Sequence, residues 1–159
     1  MGQWPRLAML CGVLIAAPAL AQRAPAGAKA DTQAPVDTRA TGDKAMDARL
    51  ADIDVYASTY PEAFIDEVGR YLDVPRGYAE ALLNQQGWQA GDIWYACALG
   101  KVIGQPCRAV VRTRSRLPQA DWSEVAQSLD APLDRRQQQA LRELSERSYR
   151  HWARPLPKG

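Results

Sequence analysis

Apolar positions recur along this chain at helical spacing, and in one stretch they leave almost no polar face. Between Gly87 and Val111, GWQAGDIWYACALGKVIGQPCRAVV, the residues Ile93, Trp94, Ala96, Cys97, Ala98, Leu99, Val102 and Ile103 point all round a helix, the pattern of an element enclosed by others. Asp92 is read as its cap, with helix from near Ile93; Lys101 suits the negative end of the dipole, Gly104 the left-handed stop, and Pro106 the start of the next helix. Upstream, Leu50, Ile53 and Tyr56 predict a helix over Asp47 to Ser58. Pro61 opens a second, with Phe64, Ile65, Val68 and Leu72 inward. Asp73 is expected to cap a third helix that buries Tyr78, Ala81, Leu82 and Gln85 and stops at Gly87, with Trp88 over the junction. Downstream, Cys107, Val110 and Val111 mark one stripe. Asp121-Trp122-Ser123-Glu124 has the spacing of a capping box ahead of Val125, Ala126 and Leu129. After Pro132, Leu133, Ala140, Leu141, Leu144, Ser148 and Trp152 line a long polar helix. No stretch alternates as a strand does, so the expected fold is all-α, a compact bundle of about six short helices joined by tight turns.

The ends of the chain carry different patterns. Arg6 followed by the apolar run Leu7 to Leu20 and by Ala19-Leu20-Ala21 reads as a signal peptide over residues 1–21, cleaved before Gln22. The run is shorter than the ~20 residues of a spanning helix, so no transmembrane helix is expected after cleavage. Residues 22–45 hold Val36 as their one branched aliphatic and no aromatic, a leader unable to offset its ordering entropy. The helical domain is placed at 46–155 and a tail at 156–159. Cleavage removes Arg6 and Cys11, leaving 19 basic against 18 acidic side chains and two cysteines. In the oxidising periplasm or outside the cell, Cys97 and Cys107 become a disulfide candidate. One lies on the central helix and the other just past the Gly104 turn, where neighbouring helices bring Cα atoms to the ~5.5 Å a bridge needs. Closing so short a loop stabilises by about 3 kcal/mol in the chain-entropy model.

Charge then adds one surface feature. Residues 22–107 carry 8 basic and 12 acidic groups and residues 108–159 carry 11 and 6, so the halves have opposite sign. Within the basic half, Arg108, Arg112 and Arg116 repeat at i, i+4 and i+8 on one helix face. The row either pairs with the acidic half or meets an anionic envelope component or an acidic protein surface. Trp88 and Tyr95 join it as contact residues if they stay exposed.

No catalytic, metal-binding or cofactor motif is present: no P-loop, no dinucleotide fingerprint, no paired-cysteine metal spacing. His151, the single histidine, is read as a helix-end residue set against the dipole. The reading leans away from an enzyme and from nucleic acid. A cell-wall glycosidase would need a carboxyl group of raised pKa in a cleft. A helix-turn-helix over Asp121 to Leu144, with Arg135 and Arg136 leading the second helix, would matter only if translation began at Met46.

Four segments, FIDEVGRYLDVP, GWQAGDIWYACALGKVIGQPCRAVV, DWSEVAQSL and YRHWARP, together resemble a group of small exported helical proteins without established activity from Gram-negative bacteria of the Xanthomonas type. The resemblance spans roughly Tyr56 to Pro155 and rests chiefly on Trp88, Gly91, Asp92, Tyr95, Ala96, Cys97, Gly104, Pro106 and Cys107. The chain departs from that pattern at Asp121 and at Asp130 to Leu133. The resemblance implies export and a helical fold, and no chemistry.

Overall fold

The computed structural model describes residues 37–84 and 88–158. The expected signal peptide, the leader up to residue 36, Gln85, the stop at Gly87 and the final Gly159 lie outside the described residues. Among the described residues there are seven helices and no strand: α1 (Lys44–Thr59), α2 (Pro61–Tyr71), α3 (Arg76–Leu83), α4 (Ala90–Ile103), α5 (Cys107–Arg116), α6 (Trp122–Ser128) and α7 (Arg135–His151). The fold is all-α, with one helix more than the expected six.

Helix α4 is the axis of the bundle, as its apolar circumference requires. Every residue from Ala90 to Gly100 is buried, between α1 and α5 on its long sides, α7 across it, and α2 and α3 at its edges. Two glycines permit that enclosure. A Cβ on Gly91 would fall inside the van der Waals shell of the Leu50 carbonyl oxygen and 2.9 Å from the carbonyl carbon, so α1 and α4 cross backbone to backbone there. A Cβ on Gly100 would lie 2.7 Å from the carbonyl oxygen of Gln105, which keeps the α4–α5 turn tight. Across that turn the sulfurs of Cys97 and Cys107 are 1.99 Å apart, and the disulfide joins the central helix to the first turn of α5.

The start of α4 corrects the sequence reading. The helix begins at Ala90 after Gln89, which makes no side-chain cap bond, and Asp92 sits inside the first turn. The cap comes from another helix: Asp54 Oδ1 on α1 accepts from the Gly91 N–H at 2.7 Å. Asp92, only 6 % exposed, instead accepts from Arg39 Nε at 3.0 Å, and Arg39 Nη2 lies 2.9 Å from Asp54 Oδ2.

Arg39 belongs to the stretch read as leader, and that boundary moves as well. Residues 37–43 are laid on the bundle: the Trp122 N–H donates to Ala40 O at 3.0 Å, Arg114 Nη2 donates to Thr38 O at 3.2 Å, and Thr41 donates twice to Asp47 Oδ1. Asp43 then caps α1 by accepting from the Ala45 and Met46 N–H groups. Ordered structure thus precedes Met46, because polar contacts substitute for the apolar ones this stretch lacks.

Helices α2, α4, α6 and α7 end in the same way. A residue of positive φ (Asp73 at 57°, Gly104 at 72°, Asp130 at 54°, Ala153 at 51°) is followed by an N–H that donates back into the last turn, five residues back in α4, α6 and α7 (Arg154 to Tyr149 O at 3.0 Å) and six in α2 (Val74 to Val68 O at 3.3 Å). This is the left-handed helix stop. Only one of the four is glycine, so Asp73 ends α2 instead of capping α3, whose N-cap is Pro75. The later start turns α3 as well, so that Ala79 is buried and Ala81 exposed. Likewise α7 starts from a second capping box, Asp134 with Gln137, and not from Pro132.

The left-handed turn at Ala153 aims Arg154 back at α1. Its Nε and Nη2 donate to Asp52 Oδ2 and Oδ1 at 2.8 and 2.6 Å, and the buried Tyr149 hydroxyl lies 2.8 Å from Asp52 Oδ2. The hydrogen bonds from Arg154, helped by Tyr149 and opposed by partial burial, hold the Asp52 carboxyl below its ordinary value of 3.8. A depressed folded-state value contributes stability above the unfolded pKa and withdraws it as pH falls through the folded one. Resistance to urea should therefore weaken below about pH 4. Asp52→Asn should be about 1.5 kcal/mol less stable at pH 7, the scale of a charge-assisted hydrogen bond, with a flatter acid limb. An unchanged acid limb in that variant would remove Asp52 from the account.

Candidate functional site

Helix α5 is launched by the Gly104 turn and Pro106, fixed at its first residue by the disulfide, and seated by Val110 and Val111, which are buried. Seating that face turns Arg108, Arg112 and Arg116 outward, and all three are exposed. Among the described residues, none of the three has a carboxylate within ion-pair distance. The acidic side chains instead take other partners: Asp54 and Asp92 pair with Arg39, Glu146 with Arg49, Glu62, Asp66 and Glu80 with Arg76, Asp43 with Arg142, and Asp52 with Arg154. Among the described residues, then, the row does not pair with the acidic half. Arg70, Arg135, Arg136, Arg147 and Arg150 are also outside ion pairs among the described residues, but they do not repeat at i, i+4 and i+8 as the α5 row does. Arg114, between the members of the row, faces the other way and serves the fold through Leu117 O, Thr38 O and the Trp122 ring.

One side chain that the sequence reading placed in the core joins the row. The Arg108 guanidinium carbon is 4.9 Å from the centroid of the Tyr78 ring, within cation–π range. Burial raises the Tyr78 hydroxyl above its ordinary 10, and the charges of Arg108 and Arg112 pull it partly back. Tyr78, Arg108 and Lys101 flank a groove of about 370 Å³ floored by Leu72, Val74 and Cys107. The apolar stripe of α3 had placed Tyr78 in the core; the only signal for its other role was its partial polarity.

The two aromatic candidates do not join this group. Tyr95 is 2 % exposed and packs on Trp122 with ring centroids 5.0 Å apart, which makes it a core residue and removes it as a surface contact. Trp88 is half-buried against the core edge. His151 does end α7, but its partner is a side chain: Nδ1 lies 3.1 Å from both carboxylate oxygens of Glu67. Glu67 falls on the same buried face as Phe64 and Val68, and a lone acid on an apolar stripe carries no sequence signal of a partner on another helix.

The catalytic alternatives find little geometry. Asp92 is the carboxyl raised by burial, an effect that Arg39 only partly offsets, yet it is sealed beneath Arg39 and lines none of the clefts described. A cleft of about 670 Å³ carries Asp54, Glu62 and Glu80, each already committed to an arginine. Among the described residues no group of three His, Cys, Asp or Glu is placed to hold a metal ion, and no helix is long and apolar enough to cross a membrane. Helix α6 packs chiefly on α5 and α7 chiefly on α4, unlike the mutual packing of a helix-turn-helix pair.

Fold and site together define a disulfide-bonded all-helical domain that presents a cationic helix face. Comparison with protein-family models, with curated proteins and with solved structures gives no match to the chain.

Proposed function

We propose that this chain is an exported protein, periplasmic or secreted, that works without cofactor as a binding or structural accessory of the cell envelope. Its contact surface is the row Arg108, Arg112 and Arg116, with Tyr78 beside it, and its partner is an anionic envelope component such as a lipid headgroup layer or cell-wall polymer. The observation that carries the reading is the exposure of three regularly spaced arginines without carboxylate partners among the described residues, in a domain where five other arginines are drawn into ion pairs. At 1.5 Å per residue the row extends about 12 Å along the helix, a stripe suited to an extended polyanion and not to a single small ligand. The resemblance to exported Xanthomonas-type proteins and the apolar run before Gln22 support the compartment.

The test is retention on anionic phospholipid vesicles and on purified cell-wall polymer at two salt concentrations. Each cation near an anionic surface contributes about 1 kcal/mol, so replacing all three arginines by glutamine should weaken retention by roughly two orders of magnitude. Retention of the unchanged protein should also fall as salt rises. Equal retention of the triple variant, or binding indifferent to salt, would remove the arginine row as the contact surface.

A further inference from the structure

A second site adjoins the Tyr78–Arg108 groove, with which it shares Leu72 and Lys101, where the last turns of α2 and α7 and the end of α4 meet. Glu67 on α2 has a side chain only 3 % exposed, yet it forms no bond to an arginine or lysine; its partner is His151, with Nδ1 3.1 Å from each carboxylate oxygen. Because a carboxylate only accepts, Nδ1 carries the proton in this arrangement and Nε2 is the ring nitrogen left for something else. The ring is also held flat, stacked on Tyr71 at 3.9 Å between centroids and 22° between planes. An imidazole fixed by a buried carboxylate on one edge and a phenol on its face is a positioned group, not a frayed helix end.

This histidine opens on a cavity of about 310 Å³ whose lining also includes Arg70, Lys101, Arg147 and Ser148. Arg70 and Arg147 have no carboxylate partner among the described residues; Lys101 has one, Asp73 at 2.6 Å. Ser148 is 3 % exposed and its oxygen accepts from Trp94 Nε1 at 3.1 Å, while its own proton finds no acceptor among the described residues. Three cationic side chains, one imidazole and one unspent hydroxyl donor thus surround the space, and the one carboxylate among its lining residues is occupied by the imidazole.

We propose that this cavity is a binding site for a small oxyanion, a carboxylate or phosphate group, held by Arg70, Arg147 and Lys101, met by the His151 ring, and received at its buried end by Ser148. Glu67 is a positioning residue: it fixes which ring nitrogen faces the ligand. The volume suits a small molecule. Lys101 lines both this cavity and the groove beside Arg108, but Arg70 and Arg147 belong to this cavity and not to the α5 row, so either proposal can fail without the other.

His151 is the only histidine in the chain, so its imidazole resonances in a nitrogen-correlated NMR spectrum need no assignment by mutation. Inorganic phosphate and succinate are titrated separately into the whole mature chain at constant ionic strength set with chloride. A saturable shift of the imidazole signals is expected, in about the millimolar range or tighter. Saturation by one anion alone supports the site and narrows its ligand to that group; saturation by both supports the shared oxyanion chemistry. The double variant Arg70→Gln with Arg147→Gln, exposed positions whose backbone amide spectrum reports an intact fold, should weaken binding at least tenfold. Arg112→Gln should leave it unchanged. No saturable shift with either anion, or equal affinity in the double variant, overturns the proposal.

Discussion

Replacing Trp94 by alanine is expected to remove about 4 kcal/mol of stability, within the 3–5 kcal/mol range for deleting a buried large aromatic side chain. Trp94 is fully buried on the helix that the other elements surround, so no solvent-facing rearrangement can fill the space. The change also strands Ser148, whose hydroxyl oxygen accepts from the indole N–H at 3.1 Å and has no other donor among the described residues. Marginal stability of roughly 5–15 kcal/mol makes such a loss a large fraction of the whole. Thermal unfolding followed by circular dichroism, with the disulfide kept oxidised, should show a midpoint lower by on the order of 15 °C. Trp94→Phe separates the two contributions, since it keeps most of the ring volume and loses only the donor; a loss of about 1–2 kcal/mol is expected for it. A loss below about 1 kcal/mol for Trp94→Ala would mean that α4 is not the packing centre.

The centrality of α4 was legible because it rests on a local signal. An apolar residue at nearly every position from Ile93 to Leu99 can be read without knowing what surrounds the helix, and the disulfide follows from two cysteines flanking one turn. The face of α5 was legible for the same reason, since a repeat of four fixes a helix face whatever lies opposite. Contacts between distant segments left no such trace. Asp54 caps a helix that starts well downstream of it, and in the sequence it is one more polar residue on α1. Glu67 and His151 meet only because α2 and the end of α7 converge. The helix stops were partly hidden by residue type: Gly104 announces a left-handed turn, whereas Asp73 and Ala153 adopt it against their intrinsic preference, held by the hydrogen bond that closes each turn. Ala45 and the residues before it were set apart on composition, a measure of apolar burial that cannot register an arginine bridging two carboxylates.

That arginine supports the other large expectation. Arg39→Met should destabilise the fold by about 3 kcal/mol at pH 7, near the lower end of the cost of leaving a buried charge unpaired, because the guanidinium retains some solvent access. Three contacts go at once: to Asp92 at 3.0 Å, to Asp54 at 2.9 Å, and to Gln89 Oε1 at 2.6 Å. What remains is a pair of carboxylates against the first turn of α4 with no cation between them. Burial already raises the Asp92 carboxyl above its ordinary 3.8, and Asp54 raises it further, while Arg39 works against both. For an acid whose folded-state pKa lies above the unfolded value, the protonated form favours folding, so stability is lost as pH climbs from the unfolded value through the folded one. Deleting Arg39 raises the folded value again and widens that window. The gap in unfolding free energy between the unchanged protein and Arg39→Met should therefore be small near pH 4 and grow toward neutrality. Adding Asp92→Asn to Arg39→Met should recover part of the loss at pH 7, because it removes the charge that was left without a partner. A pH-independent gap, or no recovery in the double variant, would show that Arg39 contributes by packing alone and that the segment before α1 is not held by charge.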